Sequence, residues 1–315
     1  MTPNEYSFTR YLAAKKSVDD RALNRHVFES LVQALSSSTP EGPLRLLEVG
    51  AGIGTMIERL LAWGGLAQAE YTAIDVEAAN ITHARGRLTT WAYENGFEVS
   101  IVGERLRVQA AGQEVDILLQ NNDLFNFIRR ARDQETWDVV IAHAFLDLID
   151  VPATLPDLFS LIRPGGLFYF TLNFDGATIF EPPVDPPLED LIQSLYHQTM
   201  DERLTAGKPS GDSRTGRRLF VQLRAAGAHL LAAGSSDWVV FPGENGYFDD
   251  EAYFLHFIIE TIGRALQGHP DLERQRFNRW ITRRHEQVEQ AELIYLAHQL
   301  DFAGFLGEAG DKLKP

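Results

Sequence analysis

The chain contains no cysteine. Disulfides, thiol nucleophiles and thiolate metal centres are excluded, and the redox compartment goes unmarked. Long apolar runs are missing too: none approaches the roughly 20 residues that a bilayer-crossing helix needs. The opening residues, MTPNEYSFTRYLAAKK, lack the apolar stretch of a secretory signal, so a cytoplasmic protein is expected. Positive charge is scarce. Lys and Arg number 29 against 44 Asp and Glu, a formal net charge of −15, which disfavours nucleic acid as a partner. The nine histidines are scattered, with no H-x-x-x-H or H-E-x-x-H pair, so no metal site is expected. Internal repeats and low-complexity tracts are also absent. With 44% apolar and 23% charged residues among 315, the composition is that of a globular chain with one large domain and at most a modest accessory lobe.

What is present is an alternation. Leu23, Val27, Phe28, Leu31, Val32 and Leu35 fall at helical spacing, predicting one amphipathic helix over about 18–35, followed by a polar linker from Ser36 to Pro43. LRLLEVG (44–50), YTAID (71–75), VDILLQ (115–120), WDVVIAH (137–143) and LFYFTLNF (167–174) read as strands, separated by helical patterns. VSIVGERLRVQ, ahead of the third, reads as an extra hairpin strand. This order argues for a parallel sheet covered by helices on both faces. After Asp175 the pattern turns mainly helical. HLLAAGSSDWVV (229–240) ends in a strand, residues 250 to about 292 form two helices broken at Gly268-His269-Pro270, and LIYLAHQLDF (293–302) is ambiguous between strand and helix.

The most informative segment is Glu48-Val49-Gly50-Ala51-Gly52-Ile53-Gly54, between a strand and a helix. Glycines there allow a tight turn and let backbone N–H groups approach a ligand. The spacing G-x-G-x-G is not the G-x-G-x-x-G of a pyrophosphate loop, and no P-loop lysine is present. A carboxylate at Glu48 would repel a pyrophosphate and suit a ligand carrying ammonium and sulfonium groups. Asp75, at the end of the second strand, stands where an acid accepts from ribose hydroxyls, with Glu77 as a fallback. Asp123, after the third strand, could receive an adenine amine. Asp75 and Asp123 each have a second reading as a helix N-cap.

Taken in order, LLEVGAGIG, TAIDVE, NNDLF, DVVIAHAFLDL and LIRPGGLFYF resemble the successive motifs of class I S-adenosylmethionine (SAM)-dependent methyltransferases, over about residues 44–175. The resemblance implies a Rossmann-like, mostly parallel seven-stranded sheet, with 229–240 and 293–302 as closing strands. It implies SAM as cofactor, with Glu48 near the methionine amino end and Gly50, Ala51, Gly52 and Gly54 lining methionine and ribose. Asp75 and Val76 would hold the ribose, Asp123 and Leu124 the adenine, and His143 to Phe145 would flank the sulfonium. The expected organisation is a helical cover (1–40), a SAM-binding core (41–177), a helical insertion (178–228) and closing strands around a second insertion at 245–290.

The expected acceptor is a small molecule, methylated at O, N or C; no membrane partner is expected, and a homodimer is left open. Positioning supplies most of the rate, and a base is needed only if the nucleophile must lose a proton. Candidate bases are His143 and His197, the latter with Asp201 as orienting carboxylate at i, i+4. Asn173, Asp175 and Tyr196 are candidate acceptor contacts. Arg274, Arg276, Arg279, Arg283 and Arg284 around Trp280 read either as a solvated helix face anchored by Trp280 or as an anion site. Tyr11, Lys15, Lys16, Asp19 and Asp20 mark a candidate lid. Two other readings stay open: a SAM-binding subunit without catalysis, and an NAD-linked oxidoreductase.

Overall fold

A computed structural model describes residues 5–37, 42–205 and 207–307. The central stretch of the predicted linker, residues 38–41, lies outside them. The chain opens with α1 (Phe8–Ala22) and α2 (Arg25–Ser37). These are two helices where the periodicity predicts one. The break is at Leu23-Asn24, where the Asn24 N–H is diverted to Asp301 Oδ2 at 2.9 Å and the Asn24 side chain accepts from the Val27 N–H. A partner some 280 residues distant is invisible to local spacing.

The core then runs β1 (Leu44–Val49), α3 (Thr55–Ala62), β2 (Gln68–Asp75), α4 (Ala78–Glu94), β3 (Glu98–Val102), β4 (Arg105–Ala110), β5 (Gln113–Asn121), α5 (Leu124–Ala131), β6 (Trp137–His143), α6 (Val151–Phe159) and β7 (Ile162–Glu181). The remainder supplies α7 (Pro186–Asp201), the short pair β8 (Leu204–Thr205) and β9 (Lys208–Pro209), α8 (Thr215–Ala225), β10 (Ala228–Ser235), β11 (Trp238–Val240), α9 (Glu251–Ala265), α10 (Arg274–Glu289) and β12 (Ile294–Leu306). The ambiguous LIYLAHQLDF is therefore a strand.

The main sheet has the order β10-β12-β7-β6-β1-β2-β5-β4-β3, with β11 paired to β12. The five central strands are parallel, as a βαβ alternation requires, and β12 returns antiparallel to β7. This is a Rossmann-like sheet of ten strands rather than seven. The excess comes from the β3–β4 hairpin, which extends the edge beyond β5, and from β11. Chain order reverses between β1 and β6, the switch point at which open α/β sheets bind ligands.

Alternation along the strands divides the core. Leu46, Tyr71, Ile117, Ile141 and Tyr169 face α2, α3 and α4, while Leu47, Ile74, Val140, Phe168 and Phe170 face α5, α6 and α8. A third cluster forms where β7 and β12 run on past the sheet: Phe174, Tyr295 and Ala297 pack with residues of α1, α7, α9 and α10. That cap overhangs the carboxyl ends of the central strands. Trp280 sits at its centre, 2% exposed. Three of the surrounding arginines are tied down: Arg276 pairs with Asp185, Arg284 with Glu189, and Arg283 with Glu286 and Glu292. Arg276 and Arg283 are partly exposed, as a solvated helix face requires, whereas Arg284 is buried on Glu189 beside Trp280. No helix among the described residues is long and apolar enough to cross a membrane.

Candidate functional site

The corner after β1 is built from left-handed backbone. Gly50, Gly52 and Gly54 have φ of +67°, +54° and +81°, conformations that side chains with a Cβ resist. Gly54 starts α3, so the corner opens directly onto a helix N-terminus. A Cβ on Gly50 would lie 2.3 Å from the Phe145 ring, so the loop after β6 approaches the corner as closely as bare backbone permits. The switch point is thereby bridged from both sides. Leu12 of α1 reaches to 3.4 Å of the Cβ position of Gly52, so the N-terminal helix lies over the same corner.

Asp75 fastens the corner to β2. Its Oδ2 accepts the Gly52 N–H at 2.8 Å, and its Oδ1 accepts the Glu77 N–H at 2.8 Å and the Asn80 amide at 3.1 Å. The cap of α4 is Glu77, so Asp75 is not a simple N-cap. A carboxylate has about four acceptor positions, and three are used, which leaves capacity for a ligand hydroxyl. Asp123 is the N-cap of α5, its Oδ1 accepting the Asn126 N–H at 3.0 Å; the second oxygen has no hydrogen-bond partner among the described residues. Val76 is exposed, and Leu124 and Ala51 are buried against the corner. Asn121 donates to the carbonyls of Asp75 and Val76, holding the two strand ends together.

Glu48 departs from the sequence picture of a side chain offered to a cation. It is 1% exposed, and its carboxyl accepts from the Tyr71 hydroxyl at 2.9 Å. Burial raises its pKa to about 8, against the lowering effects of Tyr71 and Arg59. At neutral pH it is largely protonated.

Beneath α1 lies a charge cluster that local sequence reasoning did not assemble. Asp19 Oδ2 accepts from Lys15 at 2.8 Å and lies 3.2 Å from His143 Nε2, which Arg59 Nη1 also meets at 3.1 Å; Arg59 Nη2 is 3.6 Å from Oδ2, and Oδ1 accepts the Trp238 indole N–H at 2.8 Å. Burial opposes the charge on Asp19, yet Lys15, His143 and Arg59 together hold its pKa well below the usual carboxylate range. His143 is depressed to about 4, first by burial and further by Arg59. Its Nδ1 meets the Thr171 hydroxyl at 2.8 Å. This histidine is neutral and fully engaged, and it fixes the cover to the ends of β6 and β7. Arg59 was missed; its signal was a charged pair, Glu58-Arg59, inside an otherwise apolar helix.

The other candidates separate. His197 shares a hydrogen bond with the Thr178 hydroxyl at 3.1 Å and lies edge-on to Phe174, while Asp201 accepts the Ser213 N–H at 2.7 Å. No hydrogen bond joins the two among the described residues, so the expected dyad is not formed. Burial lowers the His197 pKa, leaving a neutral ring. Asn173 is fully buried and donates to the carbonyls of Phe170 and Leu300, and Asp175 accepts from the backbone and guanidinium of Arg217. Both are engaged inside the fold. Tyr196 is brought to the cap side of the site, where its hydroxyl lies in the field of Asp147. Ala144 and Leu172, at the ends of β6 and β7, are non-glycine residues with φ of +50° and +54°, backbone strain of the kind that collects around ligand sites.

Residues 47–168 match the family model of a methyltransferase domain. Over this stretch the chain is similar to a methyltransferase domain. No curated protein sequence matches the chain. Among solved structures, it is similar to a SAM-dependent methyltransferase from Thiobacillus denitrificans in complex with S-adenosylhomocysteine, at 16% identity, covering 94% of this chain and 97% of that one with a TM-score of 0.45. It is also similar to a putative sarcosine dimethylglycine methyltransferase from Galdieria sulphuraria, at 12% identity, 88% and 85% coverage and a TM-score of 0.42. A cyclopropane synthase from Mycobacterium tuberculosis is a third, at 10% identity, 96% and 100% coverage and a TM-score of 0.42.

Proposed function

We propose that this chain binds SAM at the corner after β1 and transfers its methyl group to a small-molecule acceptor admitted beneath the cap. The observation that carries the reading is the corner itself: three left-handed glycines at the switch point, with Asp75 fastened to the middle one. The residues fit the group. Gly50 and Gly52 give the corner a backbone without Cβ atoms, covered by Phe145 and Leu12, against which a methionine moiety would lie. Asp75 keeps an acceptor position for ribose, and Asp123 keeps an oxygen for the adenine amine. The cofactor, when bound, supplies a methyl already activated by the sulfonium.

The chain's own part is then to orient and to exclude water. Phe145 and Leu12 close the corner from two sides, and the Asp19 cluster holds α1 in place over it. His143 acts here as a positioning residue. His197, neutral and oriented by Thr178, remains the candidate for taking a proton from an acceptor, with no hydrogen bond to Asp201 among the described residues. The net charge of −15 supports a small molecule over nucleic acid as acceptor.

Calorimetric titration with SAM, S-adenosylhomocysteine and NAD tests the reading. Binding of the first two and silence with NAD is the expected result, and NAD binding without SAM binding overturns it. Asp75→Asn keeps the shape and removes the charge. It is expected to weaken S-adenosylhomocysteine by about 1–3 kcal/mol, the scale of a charged hydrogen bond.

A further inference from the structure

We propose that the space bounded by α1, α7 and the loop after β6 is the acceptor subsite and that it takes a cationic amine, with Asp147 receiving the ammonium among the hydroxyls of Tyr11, Tyr196 and Tyr295. This rests on the methyltransferase reading and adds a substrate class to it.

The first observation is an orphan. Asp147 Oδ1 is buried and has no hydrogen-bond partner among the described residues. A carboxylate in that condition is costly unless a proton or a cation joins it. The cations whose fields reach it are committed elsewhere. Lys15 Nζ sits on Asp19 at 2.8 Å, and Arg203 donates to the backbone carbonyls of Ser210 and Asp147. Burial accordingly pushes the Asp147 carboxyl above its ordinary pKa.

The second observation is the wall around it. Tyr11 stacks on Phe257 at 4.0 Å and on Phe254 at 5.8 Å, and Tyr295 packs against Phe254 at 6.0 Å and Phe180 at 5.0 Å. These rings are fixed by the cap, yet the hydroxyls of Tyr11, Tyr196 and Tyr295 have no hydrogen-bond partner among the described residues. They lie within one another's electrostatic reach. Burial raises the Tyr11 pKa, and Asp19, Tyr295, Tyr196 and Asp147 each raise it further. Tyr196 is raised to about 12 by burial, then by Asp147.

The third is position. Tyr11 precedes Leu12, which covers Gly52, and Asp147 follows Phe145, which covers Gly50, by two residues. Asp147 and Tyr11 therefore belong to the two segments that cover the cofactor corner, and Tyr196 and Tyr295 pack in the same cap cluster as Tyr11. An ammonium supplies donors for the carboxylate and the hydroxyls alike, and aromatic faces favour a cation. A carboxylate or phosphate acceptor would meet Asp147 with like charge.

The test uses the full chain loaded with S-adenosylhomocysteine, and ligand-observed NMR with phenethylamine, tyramine and the neutral 2-phenylethanol. The amines are expected to bind about ten-fold tighter than the alcohol, or about 1.4 kcal/mol. Asp147→Asn should bring them to the alcohol's level while leaving S-adenosylhomocysteine affinity unchanged. Tyr196→Phe should weaken the amines less. Amines that bind no tighter than the alcohol, that ignore Asp147→Asn, or that do not bind at all overturn the subsite. If S-adenosylhomocysteine itself fails to bind the unmodified chain, the methyltransferase reading falls and takes the subsite with it. A melting temperature of Asp147→Asn equal to or above that of the parent confirms that the variant is folded.

Discussion

Two glycines show how differently one residue type is used. Gly50 sits at φ +67° with the Phe145 ring 2.3 Å from where a Cβ would be, whereas Gly86 lies on the exposed face of α4 with nothing within 4 Å. Gly50→Ala must both strain the backbone and displace Phe145, and strain of this kind costs about 1–3 kcal/mol. It is expected to lower stability by that amount in urea unfolding and to abolish S-adenosylhomocysteine binding by calorimetry. Gly86→Ala relieves a flexible helix interior and is expected to stabilise by about 0.5–1 kcal/mol with binding unchanged. If Gly50→Ala bound as well as the parent, the corner would be a turn and nothing more.

At the scale of the element, α1 decides whether the corner is open or covered. Its attachment is polar as well as apolar: beside the apolar contacts of Tyr11, Ala14 and Val18, the side chains of Lys15, Arg59, His143 and Trp238 all converge on Asp19. Removing that hub strands buried donors, which typically costs about 3–5 kcal/mol. Asp19→Ala should therefore unfold at markedly lower denaturant, and limited proteolysis should cut within residues 8–22 under conditions that spare the parent. Asp20→Ala removes a carboxylate that is itself partly exposed and frees one buried donor, the Arg59 Nε, so it should lose less than Asp19→Ala. Equal protection of α1 in Asp19→Ala and the parent would mean that apolar packing, not the hub, holds the cover. This element also marks what local sequence could convey. Parallel strands and the glycine corner were legible because βαβ units are written in consecutive residues. The break at Asn24 depends on Asp301, and the hub unites residues 15, 19, 59, 143 and 238. Asp147 stood in the quoted DVVIAHAFLDL, yet nothing local distinguished an acid with one oxygen buried and unpartnered from a solvated one. The dyad of His197 and Asp201 failed for the converse reason. Helical spacing put them on one face, but Thr178 and Ser213 claimed each separately.

Across the whole molecule, buried titratable groups of opposite kinds set the pH range of stability. His143 and His256 are depressed to about 4, the first chiefly by burial and the second by burial and its neighbour His285. Unfolded histidines bind protons near pH 6.5, so between about 6.5 and 4 the unfolded chain holds more protons and acid favours it. Glu48 works the other way. Unfolded, it ionises near 4.5; folded, burial keeps it protonated to about 8, so stability falls as pH rises through that window. Asp301, raised to about 6 by burial, adds a smaller loss confined to lower pH. The histidines and the acids nearly cancel up to about pH 6, and above pH 6.5 Glu48 acts with little opposition. A shallow stability maximum near pH 6 follows, with a decline of about 1–2 kcal/mol by pH 8, since each pH unit over which one proton is at stake is worth about 1.4 kcal/mol. Glu48→Gln cannot ionise and keeps the acceptor for Tyr71, so it should flatten the alkaline limb and, with its opposing contribution gone, steepen the acid limb. Urea unfolding of both proteins at pH 5, 6.5 and 8 measures this. A parent that gains stability from pH 6.5 to 8, or a Glu48→Gln variant that declines as steeply as the parent, would show that Glu48 is already ionised in the fold and that the corner presents a charge after all.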